Sequence, residues 1–318
     1  MADTDSIAGA KPKIVYIFGA GHSGSTLLDV LLGCHSDVAG LGEVHRLSIS
    51  PDTRQCGCGQ TILQCDWWRS VISCYQAKHD CNDDDTQPWW EKYPLSLPRQ
   101  FHQIGPGAQL ALDLAAVLGN RTLLKLATAA LPGVARYLAS IHNSHALFDC
   151  VAAEKRVRLV VDSTKNALRG KALYMSAPSR FMAIHLVRDG RAVAMSAMHR
   201  EGVSMAVAAK DWKRANFRTD LVLRSIPSAL KARLRYEDIC RAPLESINTI
   251  FSTIGLSAMD LHELQLPKVP HQIPGNPFLF NGISNIKLDE KWRRLIKPED
   301  EATFQRIAGA MNRSFGYV

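Results

Sequence analysis

No stretch of this chain stays apolar for the about 20 residues that a membrane-crossing helix needs, so no segment reads as a transmembrane span. The opening residues, MADTDSIAGAKPK, lack a basic segment followed by an apolar one, the mark of a secretory leader, and a cytoplasmic protein is expected. Blocks of like charge are also missing. The net charge of +8 is spread along the sequence, with only small clusters such as Lys291, Arg293 and Arg294. That excludes a basic nucleic-acid-binding tail and leaves a general attraction for an anionic ligand. No internal repeat is visible. Cysteine is not scarce, but eight of them in a chain of 318 residues without a leader are expected to be free thiols rather than a disulfide framework.

What the chain does have is enough apolar content, 46%, to bury a large core. Residues 13–18 read as a strand, Ser25 to Cys34 as a helix with Leu27, Leu28, Leu31 and Leu32 near one face, and VAGL (38–41) as a short strand. In the second half, strands are expected at 158–162, 180–187 and 232–238. Helices are expected at 166–177, from DGRAVAMSAMHR onward, over 205–224 and at Leu244–Ile254, with Gly255 ending the last. Strands alternating with helices imply an α/β fold, a parallel β-sheet with helices on both faces. Between Pro51 and about Pro106 the sequence is rich in Cys, Trp, Asp and Pro and shows no sustained period, and 107–147 returns to helical spacing. We read one domain over 1–318, with 51–150 an inserted lid or acceptor-binding region.

The first strand breaks into GAGHSGST. Gly19, Gly21 and Gly24 form G-x-G-x-x-G, a dinucleotide fingerprint, and Gly19 to Thr26 also form a Walker A loop with Ser25 in the lysine position. A glycine turn before a helix offers unpaired N–H groups and the positive end of the helix dipole, and so binds phosphate-like anions. The nicotinamide reading puts an acid, Glu43, about 20 residues on, but GCHSDVAGLG is too broken for a core strand. For a kinase, Thr26 could hold magnesium, but Ser25 supplies no charge to offset a triphosphate. The loop suits a less charged ligand, a single 5′-phosphate bearing a transferable group.

Further on, HLVRDGRAVAMS places Arg188 at a strand end and Ser196 about two helical turns later, a forked donor and a hydroxyl suited to one further phosphate. An arginine paired with Asp189 and a serine on a solvated face is the plainer alternative. Both motifs in this order resemble the sulfotransferases that use 3′-phosphoadenosine 5′-phosphosulfate (PAPS), in which an SGST or SGTT loop holds the 5′-phosphosulfate and R-D-x-R-x-x-x-x-S holds the 3′-phosphate. RYEDICRAP, HQIPGNPFLFNG…DEKW and CGCG…CDWW extend the resemblance. It implies a P-loop-like fold and a nucleotide site made of Gly21, His22, Ser23, Gly24, Ser25, Thr26, Arg188 and Ser196, with Tyr236 near the adenine and backbone at Gly275 and Asn276 in a closing loop. His22 stands where the family has Lys or Arg, and GNPFLF lacks a following arginine.

Sulfuryl transfer needs a base for the acceptor hydroxyl and cations for developing charge, and no metal. The resemblance implies Glu43 as base, with His45 second, and Lys165 neutralising the leaving oxygen beside His22. The expected acceptor is a small-molecule, phenolic or carbohydrate hydroxyl. A small-molecule kinase of the P-loop type and a non-catalytic nucleotide-binding module are the alternatives. Trp67, Trp68, Trp89 and Trp90 could stack on an acceptor or plug the insertion onto the core, and Trp212 and Trp292 are expected in the core. Cys56, Cys58 and Cys65 could give zinc three thiolates, with the fourth ligand from Cys34, Cys74 or His79, but the reading assigns no metal.

Overall fold

The computed structural model describes residues 11–81, 87–96, 132–262, 264, 270–275 and 286–318. The helical expectation for 107–131, and most of GNPFLF including Asn276, lie outside the described residues. Five parallel strands form one sheet in the order β2-β3-β1-β4-β5: β1 Lys13–Phe18, β2 Val38–Gly40, β3 Leu159–Lys165, β4 Phe181–Val187 and β5 Lys231–Arg235. The α-helices used below are α1 Ser25–Leu32, α2 Asp66–Lys78, α3 Pro132–Lys155, α4 Ala167–Ser176, α5 Gly190–Glu201, α6 Met205–Leu223, α7 Tyr236–Arg241, α8 Pro243–Ile254 and α9 Pro298–Ser314. This is the expected α/β, P-loop-like parallel sheet.

The period-2 alternation of strand side chains divides β1 between two cores. Ile14, Tyr16 and Phe18 face a cluster with Trp68, Val71 and Tyr75 of α2 and Leu147, Phe148 and Val151 of α3. Val15 and Ile17 face Leu28, Leu31 and Leu32 of α1 and Ile247, Ile250 and Phe251 of α8. A strand covered on both faces needs apolar residues at every covered position, which is why IVYIF (14–18) reads as an unbroken run after the exposed Lys13. A third cluster packs α6 and α9 around Trp212 and Phe304 beyond Val187.

Four local expectations change. The irregular span 51–106 contains α2, whose Trp68, Val71, Ile72 and Tyr75 recur at i, i+3, i+4 and i+7 and are all buried. The flanking Cys, Pro and Asp residues masked that short period. β3 runs to Lys165 rather than Asp162, because the polar residues at its end are satisfied in place. Thr164 N–H donates to Asp162 (2.9 Å), Arg169 Nε donates to the other Asp162 oxygen (3.2 Å), and Ser163 N–H donates to Gly42 (3.0 Å). The last strand stops at Arg235, and Tyr236 opens α7 with Glu237 and Asp238 in its first turn, where acids suit the helix dipole. Finally, α1 ends at Leu32, two residues early.

Trp68 and Trp89 are buried, Trp67 and Trp90 partly so, and Trp212 and Trp292 lie in the core as expected. All eight cysteines are free thiols. No helix among the described residues is long and apolar enough to cross a membrane. Because Trp68 is fully buried against β1, Trp68→Ala should lower the unfolding free energy by about 3–5 kcal/mol in urea titrations. Trp90→Ala, at a half-exposed position, should cost far less.

Candidate active site

In an all-parallel sheet every strand ends on the same edge, where ligands of α/β folds collect. Here β1 runs into Gly19–Gly24, β2 into Glu43, β3 ends at Lys165, β4 runs into Arg188 and β5 into Tyr236. Residues spread over more than 200 positions therefore meet at one edge.

Two glycines of the first loop are set by its geometry. Gly19 has φ 144° and a Cβ there would strike the Leu186 carbonyl, while Gly24 has φ 91° and lies against the Tyr236 ring. Gly21 faces open space. Behind the loop α1 begins without a capping side chain and without an acid in its first turn, so its first N–H groups remain available. Ser23 is 1% exposed, yet its hydroxyl has no hydrogen-bond partner among the described residues. A buried hydroxyl left unpaired costs stability unless something occupies its lone pairs. Ser25 is buried and Thr26 half-buried at the start of α1.

Arg188 and the loop are in contact. Its Nη1 donates to the His22 carbonyl (3.1 Å), and its guanidinium lies 4.4 Å from the centre of the Tyr236 ring. A second nitrogen reaches Asp289 (3.3 Å). The pairing of Asp189 with an arginine does occur, but the partner is Arg191. Its Nε and Nη2 donate to the two Asp189 oxygens at 3.1 and 2.8 Å, and it also reaches Glu301 and the carbonyl of Val318. The two arginines of RDGR thus divide the work, Arg191 holding the helix start and Arg188 facing the loop. Ser196 is half-buried further along α5. His22, at φ 60°, turns its Nε2 to Glu201 at 2.8 Å.

Glu43 lies between two cations, Oε1 accepting from Lys165 Nζ at 2.7 Å and Oε2 from Arg46 Nε at 2.6 Å. Burial pushes its carboxyl up, but the Lys165 and Arg46 charges outweigh this and hold it below the ordinary 4.5. Lys165 is paired in register with Phe18, the residue before the loop, and has φ 67°, a left-handed conformation costly for a lysine. Gly275 packs on the Glu43 carboxylate so closely that a Cβ would run into it. His45 Nδ1 faces the Thr164 hydroxyl (3.1 Å), and burial, with the Arg169 charge second, pushes its imidazole down to about 3.

Sequence reasoning left Asp29 out. It is fully buried in α1, accepting from Gly42 N–H (3.0 Å) and Gln272 Nε2 (2.7 Å), and so ties the helix to the turn before Glu43. Burial lifts its carboxyl to about 7 despite hydrogen bonds from Ser163 and Gly42. A lone acid inside the apolar helix STLLDVLL was the available signal. Arg46 and Arg169 carried no periodic signal.

A carboxyl held below its unfolded value contributes stability above that value and loses it as the pH falls through the folded one. Glu43→Gln should therefore lower stability near pH 7 by about 1–3 kcal/mol. Its deficit should shrink as the pH falls below 4.5, read from urea midpoints of both proteins.

In a dinucleotide-binding fold the acid that meets the ribose ends the strand beside β1. Here β3 separates β2 from β1, so Glu43 does not occupy that position.

No curated protein matches this sequence. Among solved structures, the sulfotransferase domain of the curacin biosynthetic pathway covers 96% of this chain with 98% of its own, at TM-score 0.52 and 17% identity. The sulfotransferase domain of the Synechococcus PCC 7002 olefin synthase covers 98% with 97% of its own, at TM-score 0.50 and 18% identity. A sulfotransferase from Mycobacterium avium covers 97% with 78% of its own, at TM-score 0.51 and 12% identity. At such identities the likeness concerns the fold. The family model described as "Sulfotransferase family" matches residues 12–260, from β1 through the end of α8, and on that match the chain belongs to the sulfotransferase family.

Proposed function

We propose that this enzyme moves the sulfonate group of PAPS to a hydroxyl of a small-molecule, phenolic or carbohydrate acceptor by in-line displacement, with Glu43 as base. The observation that carries this reading is the unpartnered, buried Ser23 hydroxyl in a loop without a Walker lysine, one strand away from the Glu43–Lys165 pair. A phosphosulfate oxygen fits that hydroxyl and the free N–H groups of α1.

In this reading the backbone from Gly21 to Thr26, with the Ser23 and Thr26 hydroxyls, holds the 5′-phosphosulfate. Arg188 and Ser196 hold the 3′-phosphate, Tyr236 lies against the adenine, and Gly275 and Asn276 supply backbone contacts. When bound, the donor supplies an activated sulfonate with a phosphate as leaving group. Glu43 takes the acceptor hydroxyl's proton at a carboxylate oxygen, and it is ionised and buried for that purpose. Lys165 neutralises the charge on the leaving phosphate oxygen, and the swing of its ammonium from Oε1 toward the neighbouring Gly19–Gly24 loop uncovers the Glu43 oxygen and makes it a stronger base. His45, pushed by burial down to about 3, is a much weaker proton acceptor than an ordinary imidazole, and its Nδ1 is already turned to the Thr164 hydroxyl. His22, whose Nε2 is turned to Glu201, is the loop residue that stands where the family pattern has a permanent cation.

Thermal-shift titration of the full chain should give stabilisation by adenosine 3′,5′-bisphosphate and not by ATP or NAD. Stabilisation by ATP alone would point to a kinase, and binding without transfer to any hydroxyl would point to a nucleotide-binding module. Glu43→Gln should lose about 10²–10⁴ in kcat while still binding the bisphosphate. Substantial residual turnover would move the base to His45. Lys165→Ala should lower kcat more than it raises KM, and unchanged turnover would remove Lys165 from the mechanism.

A further inference from the structure

The cluster that the function leaves unused is CGCGQTILQC, and the missing fourth ligand is not near it in sequence. Neither Cys34, Cys74 nor His79 completes the set. His271, 206 residues beyond Cys65, brings its Nδ1 to 3.3 Å from Cys65 Sγ and 3.9 Å from Cys56 Sγ, and the two sulfurs are 3.7 Å apart. With Cys58, all four donor atoms lie within 4.8 Å of one another. A tetrahedral zinc with bonds of about 2.3 Å to sulfur and about 2.0 Å to nitrogen sets sulfur pairs about 3.8 Å apart and sulfur–nitrogen pairs about 3.5 Å apart. The observed spacings fall around those values. They do not suit a disulfide, whose sulfurs sit about 2.05 Å apart.

We propose that Cys56, Cys58, Cys65 and His271 form a structural Cys3His zinc site that clips residues 54–65 to the segment 270–275. The surroundings are already built for it. Cys56 N–H donates to Gln60 (2.8 Å) and Gly59 N–H donates to Cys56 (2.9 Å), with Gly59 at φ 87°, a tight turn that presents Cys56 and Cys58 together. Cys65 is the residue immediately before α2, at its N-cap, so the third thiol is fixed by a helix packed into the core. Gly57 N–H donates to Gln272 (2.9 Å), which joins the turn to the histidine segment directly. The His271 ring stacks parallel to Trp67 at 6.0 Å, which fixes its orientation. Four protein ligands leave no open position, the pattern of a structural rather than a catalytic zinc.

The location gives the clip a consequence. Two residues beyond His271, Ile273 exchanges backbone hydrogen bonds with the Leu41–Glu43 turn, accepting from Glu43 N–H and donating to Leu41, both at 3.0 Å. Gly275 then packs on the Glu43 carboxylate. A metal that closes so long a loop removes the most chain entropy, and here it would hold the segment covering Glu43.

The test uses the full chain, purified under reducing conditions with zinc supplied and then desalted. Elemental analysis should find one zinc per chain, and cobalt reconstitution should give the visible bands of a tetrahedral site with a thiolate-to-cobalt charge-transfer band. Losing a ligand should weaken binding by more than the about 10–100-fold expected for an outer-shell partner, so Cys58→Ala and His271→Ala should lose the metal. His271→Cys should keep it as a four-thiolate site, and Cys74→Ala should keep it as wild type. Removing the metal should also speed hydrogen exchange at the Glu43 and Ile273 amides. Wild type that takes up neither ion, a Cys56–Cys65 disulfide under these conditions, or full metal retention by both ligand variants would overturn the site. Exchange that does not respond to metal removal would overturn its role as a clip. These readouts do not involve sulfonate transfer, so they stand apart from the proposed donor and base.

Discussion

β1 is held between β3 and β4 by parallel hydrogen bonding and by a packed layer on each face, and this confinement determines where the chain can do chemistry. After Lys13, exposed at its start, the five residues Ile14–Phe18 are all buried with no solvent-facing side, and the chain turns to glycines and hydroxyls only where the strand ends, at Gly19. β4 is likewise buried throughout before Arg188, its one polar side chain, His185, being paired internally with Asn216 (3.0 Å). Parallel pairing then aligns these ends. Phe18 sits beside Lys165 on one side and His185 on the other, so the phosphate-type loop, the lysine and the arginine lie on adjacent strands by register, without long side chains having to reach across the molecule.

On that edge, electrostatics rather than packing decides what each group does. Glu43 and Asp29 are both buried carboxyls, yet they are driven in opposite directions. Lys165 and Arg46 outweigh desolvation for Glu43 and keep it charged, whereas among the described residues no cation is ion-paired with Asp29, and burial outweighs the more distant Lys165 charge and raises it to about 7. An ion pair this buried is costly to assemble and still more costly to break, because removing one member leaves the other desolvated. The left-handed backbone at Lys165 is a further cost borne at the same place. Strain and buried charge are thus concentrated at the end of one strand, where the proposed base meets its lysine.

The parts of this arrangement that were legible in the sequence are those with local rules. Gly19 and Gly24 announced a turn before a helix, the buried strands announced themselves as apolar runs, and Arg188 followed one of them. The plainer alternative, an arginine paired with Asp189, occurs at Arg191 and leaves Arg188 turned to the loop, a division between the two arginines of RDGR that the sequence alone does not make. α2 had a clean helical face in Trp68, Val71, Ile72 and Tyr75, obscured by cysteines and prolines on either side. The contacts that no local rule reaches are the long-range ones. Asp29 meets Gln272 across 243 residues, and His271 completes a cysteine cluster that, read alone, lacked a ligand. Such pairs exist only once the sheet has brought the 270–275 segment back over the turn before Glu43.

That returning segment joins the two halves of the account. Ile273 pairs with the Glu43 turn, Gln272 with α1, and His271 with the cysteines, so one short stretch connects the loop-bearing helix, the buried carboxylate and the proposed metal clip. The central claim is that five strand ends form a single donor site, and the most direct measurement is a crystal structure of the chain with adenosine 3′,5′-bisphosphate bound. The account predicts the 5′-phosphate on the backbone of Gly21–Thr26 within hydrogen-bonding distance of the Ser23 hydroxyl, the 3′-phosphate at Arg188 and Ser196, and Lys165 turned toward the 5′ end. A bisphosphate bound away from this edge, or one that leaves the Ser23 hydroxyl unpartnered and Arg188 untouched, would contradict it.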